Sequence, residues 1–321
     1  MKGEVELENA ENIIEVKNLI KNYKNKKAVS GISFYVRKGE ILGFLGPNGA
    51  GKSTTINILS TALKYDSGEI KFMGENIRSN VMNVKRNIGI VPQDLAIYED
   101  VPAEKNVKFF ASLYGLRGHA LKEKTDEALE FAGLYDKRKD KPKTFSGGMK
   151  RRLNIACAIA HFPKLIIMDE PTVGIDPQSR NHILNSIKKL QKMGATIIYT
   201  THYMEEVEEI ANRIIIMDNG SIIAEGTKEK LKESIQDEKV YSISAQNTEK
   251  LADDDFFNIE GVRKVNISKD KVEVTVLSSV ENLDKVIMVM IKHHCKIKNI
   301  ETDTASLERV FLNLTGKSLR D

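Results

Sequence analysis

Residues 46–54 form a glycine-rich run, GPNGAGKST, that matches the pattern G-x-x-x-x-G-K-[ST]. Glycines at such a loop let backbone N–H groups converge on phosphate oxygens, because no Cβ blocks the approach. Lys52 would place a positive charge beside the β- and γ-phosphates of a nucleotide, and the Ser53 hydroxyl would ligate magnesium. The candidate phosphate-binding residues are therefore Gly46, Pro47, Asn48, Gly49, Ala50, Gly51, Lys52, Ser53 and Thr54.

Two adjacent carboxylates follow the apolar run LIIM at 165–168. Asp169 at the end of such a strand is placed to hold a magnesium ion. Glu170, one residue further on, is placed to orient or deprotonate an attacking water. The alternative is that both carboxylates only cap the next helix, and the presence of a phosphate loop in the same chain favours the catalytic interpretation.

The elements around these residues alternate between strand and helix. Apolar runs at 41–45, 165–168 and 195–199 are typical of strands buried on both faces of a parallel sheet, and the spacing at 179–192 predicts a helix between two of them. Asn219-Gly220 between two apolar runs predicts a β-hairpin. Helical spacing dominates about 95–163, which we interpret as a helical insertion. The fold class is therefore α/β.

The pattern changes after the polar stretch at 228–239. Alternating apolar residues and two helical segments, one of them at 247–257, give the order β-α-β-β-α-β, which is that of a small α+β ferredoxin-like domain. A last helix follows, with Gly316 as its C-cap. We expect an accessory domain at 239–316 after a first domain at 12–235.

Composition excludes several classes of function. The 321 residues carry Lys+Arg 49 against Asp+Glu 45, a balance that does not indicate nucleic-acid binding. The basic cluster at 137–152 lacks interleaved aromatic residues, so we interpret it as a solvated face. Two distant cysteines fit a reducing compartment, and the acidic N-terminus does not resemble a secretory signal. Because the apolar runs are too short to span a membrane, any membrane part would belong to another chain.

The run FSGGM at 145–149, opening a helical pattern, resembles the LSGGQ signature of ABC transporter ATP-binding subunits. The resemblance covers about residues 12–235. In that family the signature core contacts the nucleotide of a second copy, and Met149 replaces the usual glutamine, so no role is carried over to it. Other family positions also match, although Ser146 alone could be only a helix N-cap. The resemblance implies nucleotide contacts at Ser146, Gly147, Gly148, Asp176 (D-loop) and Tyr23 (adenine stacking), and catalytic roles for Gln93 (Q-loop, also near magnesium) and His202 (H-loop).

The resemblance implies a P-loop NTPase core with an antiparallel β subdomain, ATP and Mg²⁺ as cofactors, and ATP hydrolysis. One phosphate loop and one signature per chain imply a head-to-tail pair with a second ATP-binding subunit. The expected partner is a separate transmembrane permease, and the expected location is the cytoplasmic face of the cell membrane. The tail at 306–316 resembles that of drug- and antibiotic-export ATPases, which favours export over import and leaves lipid, polysaccharide and sodium export as alternatives. ABC-type ATPases of DNA repair or translation, and other P-loop classes, are the alternatives.

Overall fold

The computed structural model describes residues 11–24, 26–233, 238–303 and 306–315. The chain divides into two compact units between Thr227 and Lys228. The domain boundaries expected from the sequence, 12–235 and 239–316, stay predictions. Gly316, the expected C-cap, lies outside the described residues.

The first unit contains ten strands and seven α-helices among its described residues. The strands are β1 (Asn12–Tyr23), β2 (Lys26–Arg37), β3 (Ile41–Leu45), β4 (Ser67–Phe72), β5 (Glu75–Asn76), β6 (Ile88–Val91), β7 (Leu165–Asp169), β8 (Thr196–Thr201), β9 (Arg213–Asp218) and β10 (Ser221–Gly226). The helices are α1 (Lys52–Leu59), α2 (Val81–Asn87), α3 (Ala103–Leu113), α4 (Gly118–Phe131), α5 (Gly147–Ile159), α6 (Pro177–Lys192) and α7 (Met204–Ile210).

A six-stranded sheet positions the candidate site. Its order is β10-β9-β3-β8-β7-β6, and every neighbouring pair except β9 with β10 is parallel. Leu45 pairs with Thr201, and Asp169 pairs with Thr200, so the carboxyl ends of β3, β7 and β8 lie level with one another. The phosphate loop, the two carboxylates and the His202 loop therefore leave the sheet at one edge, where ligands bind in open α/β sheets.

The sheet is covered on both faces, which is why its strands are apolar throughout. Ile166 and Met168 face a core built with helices α3 to α6. Leu165 and Ile167 face a second core shared with α1 and with the antiparallel sheet β2-β1-β4-β5. This alternation fixes the register of β7, because a slip of one residue would exchange its two faces. It therefore also fixes the position of Asp169, the last residue of β7.

The predicted hairpin is present as β9 and β10. Asn219 and Gly220 have φ values of 46° and 78°, the positive values that a two-residue hairpin turn needs. Strands β4 and β6 were not predicted. They are short and carry too few alternating residues to stand out in the sequence.

The second unit contains strands β11 (Glu238–Gln246), β12 (Val262–Ser268), β13 (Lys271–Leu277) and β14 (Lys296–Asp303), and helices α8 (Lys228–Glu233), α9 (Asp254–Phe257), α10 (Leu283–Lys292) and α11 (Leu307–Thr315). Its antiparallel sheet has the order β12-β13-β11-β14, which is the ferredoxin-like arrangement of a β-α-β-β-α-β chain. The helix predicted at 247–257 is instead a 3₁₀ turn, Thr248–Lys250, and the four-residue α9, because Leu251 between them is extended.

Candidate active site

The glycine-rich loop joins β3 to α1, in the strand–loop–helix context that the pattern requires. Gly51 has a φ of 104°, and a Cβ there would lie 2.5 Å from the Ala28 carbonyl oxygen. A Cβ on Gly46 would collide with the Met217 carbonyl oxygen. Both glycines are therefore required by close backbone approach as well as by the loop conformation.

Lys52, the first residue of α1, is buried and points back over the loop. Its Nζ donates to the carbonyl oxygens of Gly46 at 2.6 Å and Pro47 at 3.2 Å. Glu170 Oε1 lies 3.6 Å from the same nitrogen. Burial lowers the pKa of Lys52, and the charges of Glu170 and Asp169 oppose that shift. The ammonium group is thus held at the loop by two backbone acceptors and two carboxylates.

Asp169 and Ser53 bring two oxygen atoms together at the carboxyl end of β7. The Ser53 Oγ donates to Asp169 Oδ1 at 3.3 Å, and the Thr200 Oγ1 donates to the same atom at 2.6 Å. A carboxylate and a hydroxyl are ligands of the kind that Mg²⁺ prefers. The pair therefore fits a magnesium ion beside the phosphate loop.

The backbone of Glu170 has a positive φ, which residues other than glycine rarely adopt. Its φ is 46°, which for a residue other than glycine costs about 1–3 kcal/mol. The conformation is held because its N–H donates to both the hydroxyl and the carbonyl oxygen of Thr200, at 3.0 and 3.2 Å. In this conformation the buried carboxylate of Glu170 lies between two basic groups. Its Oε1 faces Lys52, and its Oε2 lies 3.3 Å from His202 Nδ1. No local pattern in the sequence indicates this strain.

A cleft of about 260 Å³ joins most of the predicted site residues. Tyr23, Gln93 and Glu170 line it together with the loop from Pro47 to Thr54. The Tyr23 ring is half exposed, and Gln93 follows β6 at the same sheet edge as Asp169. The structure therefore brings these residues to one place from four separate parts of the chain.

The signature residues and Asp176 do not line this cleft within the described part of the chain. Ser146 caps α5 by accepting from the Met149 N–H at 3.3 Å, and Asp176 caps α6 by accepting from the Ser179 N–H at 2.9 Å. The Ser179 hydrogen bond lowers the pKa of the Asp176 carboxyl. A Cβ on Gly148 would collide with the Ser179 side chain, so the two helix starts are in direct contact.

Arg151 corrects one expectation. The sequence placed it in a solvated basic face, but only 4% of it is exposed. Its guanidinium donates to the carbonyl oxygens of Pro92 at 2.7 Å and Gln93 at 2.6 Å, which ties the signature helix to the Gln93 segment. Arg152 likewise donates to the Ala132 carbonyl oxygen. Sequence reasoning missed both because burial of a charged side chain depends on neighbours far away in the chain.

Several known proteins are similar to this chain. The family described as "ABC transporter" matches residues 29–173. The linearmycin resistance ATP-binding protein LnrL of Bacillus subtilis is 43% identical over 96% of this chain and 100% of its own length. The daunorubicin/doxorubicin resistance ATP-binding protein DrrA of Streptomyces peucetius is 33% identical over 96% of this chain and 94% of its own.

A solved structure is similar to part of the chain. It is the dimeric ATP-binding cassette MJ0796 in a post-hydrolysis state with ADP and phosphate, which is 27% identical at a TM-score of 0.61. The match covers 67% of this chain and 98% of that one. Among the described residues, no helix combines the length and apolar character that crossing a membrane requires.

The parallel sheet, the phosphate loop and the paired carboxylates define a P-loop ATPase of the cassette type. The chain belongs to the ATP-binding subunits of ABC transporters, as the match to LnrL over its whole length establishes. It binds and hydrolyses ATP, and such subunits dimerise and act with membrane permease components. The resemblance inferred from the motifs is confirmed, and the DNA-repair and translation alternatives are not favoured.

Proposed function

We propose that this chain powers an exporter of drug-like or antibiotic molecules, by closing and opening a head-to-tail dimer on ATP beneath a separate permease. The observation that carries the chemistry is the convergence of Lys52, Glu170 and His202, with Glu170 within 3.6 Å of both basic groups. This cluster lies beside a phosphate loop and a pair of magnesium-type ligands. Each residue of the site then has a separate role in the reaction.

Ser53 and Asp169 would hold the magnesium ion, and Gln93, which follows β6, would lie near it. Thr200 supports this arrangement, because its hydroxyl fixes the carboxylate of Asp169 at 2.6 Å. A magnesium ion there supplies charge neutralisation at the phosphates. Lys52 and the loop N–H groups hold the β- and γ-phosphate oxygens, and Tyr23 offers its ring to the adenine.

The water side of the site belongs to Glu170 and His202. Glu170 orients the attacking water and accepts its proton, which a positioned carboxylate does at a gain of about 10²–10⁴-fold. His202 Nδ1 lies 3.3 Å from Glu170 Oε2, the carboxylate oxygen that does not face Lys52. It holds Glu170 in place and faces the γ-phosphate. The strained backbone of Glu170 supports this role, since strain of this kind concentrates at functional sites.

The second half of each site would come from the partner copy. Ser146, Gly147, Gly148 and Asp176 lie at two helix starts in contact with each other, outside the cleft of their own chain. Helix N-termini favour anions, so the signature helix suits the γ-phosphate held by another copy. A pair of identical chains then forms a two-fold interface with two shared nucleotides, and hydrolysis removes the contact that holds it closed.

The names of the relatives support a direction of transport and a class of cargo. LnrL and DrrA are named for resistance to linearmycin and to daunorubicin and doxorubicin, and each matches this chain across nearly its whole length. A cell becomes resistant when the drug is moved out, so we infer export of antibiotics or related drugs. The chain would then sit on the cytoplasmic face of the membrane, without a nucleic-acid partner.

Nucleotide binding is tested by thermal unfolding. Mg-ATP at a hundredfold excess over its Kd should stabilise the chain by about 2.7 kcal/mol. Lys52→Ala should abolish the shift, because it removes the charge at the loop. Lys71→Ala is the matched control, since that lysine is partly exposed on the antiparallel sheet and pairs with Glu69. An unshifted melting curve for the unmodified chain would refute the nucleotide site.

Export is tested in the host cell. A strain without this chain should become more sensitive to linearmycin, daunorubicin or doxorubicin, and the unmodified chain should restore resistance. Glu170→Gln should fail to restore it while accumulating to the same level. Full resistance with Glu170→Gln would show that hydrolysis at this site does not drive export.

A further inference from the structure

Glu206 is a buried carboxylate with no role assigned so far. It lies in α7, four residues after His202, and only 2% of it is exposed. The Tyr199 hydroxyl and the Thr201 hydroxyl both donate to its Oε2, each at 2.8 Å. Both donors belong to β8, the strand that ends directly before His202. Glu206 therefore fixes the end of this strand from the helix that follows the histidine.

The other carboxylate oxygen faces a cation from the helix that Asp176 caps. Arg180 Nε in α6 lies 3.4 Å from Glu206 Oε1. The guanidinium of Arg180 also stands over the Tyr203 ring, 4.7 Å from its centroid. The Tyr203 ring in turn lies 4.2 Å from the His202 ring. Arg180 thus connects Glu206 to the residue that packs beside the histidine.

The same contacts hold the backbone on both sides of His202. The Thr201 hydroxyl, which donates to Glu206, accepts from the Tyr203 N–H at 2.9 Å. On the other side of the network, the Tyr199 hydroxyl lies 3.4 Å from the hydroxyl of Thr172, two residues after Glu170. Glu206 is therefore the centre of a buried network that reaches the His202 loop and the segment that follows Glu170.

A carboxylate is costly to bury unless donors and a cation meet it, and a packed apolar residue often serves stability as well or better. We propose that Glu206 is a positioning residue of the ATPase reaction, which fixes His202 against Glu170 through Thr201, Tyr199 and Arg180. This inference rests on the proposed roles of His202 and Glu170. The specific prediction is that loss of the Glu206 charge impairs turnover only where His202 is present.

Glu206→Gln is the first variant, because it keeps an oxygen for Tyr199 and Thr201 but turns an amide toward Arg180. We expect kcat to fall about tenfold, as misplacement of a catalytic group does, with KM for ATP unchanged. Glu209→Gln is the matched control: Glu209 lies in the same helix and also pairs with α6, through Lys188 at 2.9 Å, but at the surface. It should keep normal turnover.

Combination with His202→Ala separates positioning from general support of the fold. If Glu206 acts through His202, Glu206→Gln should change the residual rate of His202→Ala by less than about twofold. An equal loss in both backgrounds would overturn this inference alone. A near-normal rate for His202→Ala would overturn the proposed role of His202 and this inference with it.

Arg180 keeps the inference testable if Glu206→Gln does not fold, since its side chain is about one third exposed. Arg180→Gln should lower kcat several-fold with an unchanged Mg-ATP shift. Arg180→Lys, which keeps the charge, should retain most of the activity. Normal turnover of Arg180→Gln, or equal losses in both variants, would overturn the role of the Arg180–Glu206 pair.

Discussion

The two units of the chain differ in what they bury. Among the described residues, the first unit buries six charged side chains: Glu40, Lys52, Arg151, Glu170, Glu206 and Arg213. The described part of the second unit buries no charged side chain, and its buried polar groups include Thr248, Asn282 and the Tyr241 hydroxyl. Glu40 and Arg213 pair with each other at 2.7 Å where β3 and β9 begin. The other four lie in the candidate site or in segments that join it, as perturbed charged groups at a functional site do.

The buried polar groups of the second unit serve local structure. Thr248 Oγ1 donates to the Ser268 carbonyl oxygen at 2.8 Å, and Asn282 Nδ2 donates to that of Glu260 at 2.7 Å. Apart from the Tyr241 hydroxyl and the Cys295 thiol, the rest of its core is apolar. LnrL matches 96% of the chain, a span that includes most of this unit. Relatives that match 96% of the chain therefore extend over most of the second unit as well as the first.

Glu170→Gln should give the largest effect. It preserves shape and hydrogen bonding but removes the basicity of the carboxylate between Lys52 and His202. Turnover should fall by about 10²–10⁴-fold, measured as phosphate release under saturating Mg-ATP. Glu281→Gln, the same change at an exposed pair with Lys239 in the second unit, should leave turnover unchanged. Comparable losses from both would erase the contrast between the units.

The spacing of residues in the sequence is enough to predict some of these features but not others. The phosphate loop, Asp169-Glu170 and Asn219-Gly220 are local patterns, because neighbouring residues satisfy the geometry. Glu206 and Arg151 are not predictable in this way, since their partners lie on other elements and only the fold buries them. The strain at Glu170 comes from Thr200 on the adjacent strand.

Gly148→Ala should impair the nucleotide site that two copies share. It should leave ATP binding in the cleft of its own chain intact. The added Cβ would collide with Ser179 and push the signature helix away from the start of α6. A displacement of about 1 Å at a catalytic contact can cost about 10²-fold, so turnover should fall 10- to 100-fold. Mg-ATP should still raise the melting temperature of the variant. Loss of that stabilisation would place Gly148 in the nucleotide cleft of its own chain.

His161 should make the stability of the first unit depend on pH. Its ring stacks on Tyr114 and its Nε2 donates to the Ile88 carbonyl oxygen. Burial lowers the pKa of His161 to about 4, below the ordinary value of 6.5. The neutral ring therefore stabilises the fold fully above pH 6.5, and this contribution is lost as the pH falls toward 4.

This loss should amount to about 2–3 kcal/mol in the free energy of unfolding between pH 7 and pH 4.5, and urea unfolding at the two pH values would measure it. His161→Phe keeps an aromatic ring beside Tyr114 and should flatten the dependence over that range. The same steep slope in this variant would assign the effect to other groups.

Removal of the second unit should have the smallest effect on catalysis. A chain ending at Thr227 keeps every group of the candidate site, so it should fold and hydrolyse ATP within about threefold of the full chain. Circular dichroism and phosphate release would measure both properties. An insoluble or inactive fragment would show that the second unit supports the first.

The central claim is that two copies share each ATP, and the mass of Glu170→Gln tests it most directly. Because this variant binds ATP without consuming it, the nucleotide should hold the signature of one copy against the phosphate loop of the other. Sedimentation with Mg-ATP should show a doubling of mass, which ADP does not produce and which the added substitution Gly148→Ala abolishes. A Glu170→Gln chain that stays monomeric in saturating Mg-ATP would contradict the account.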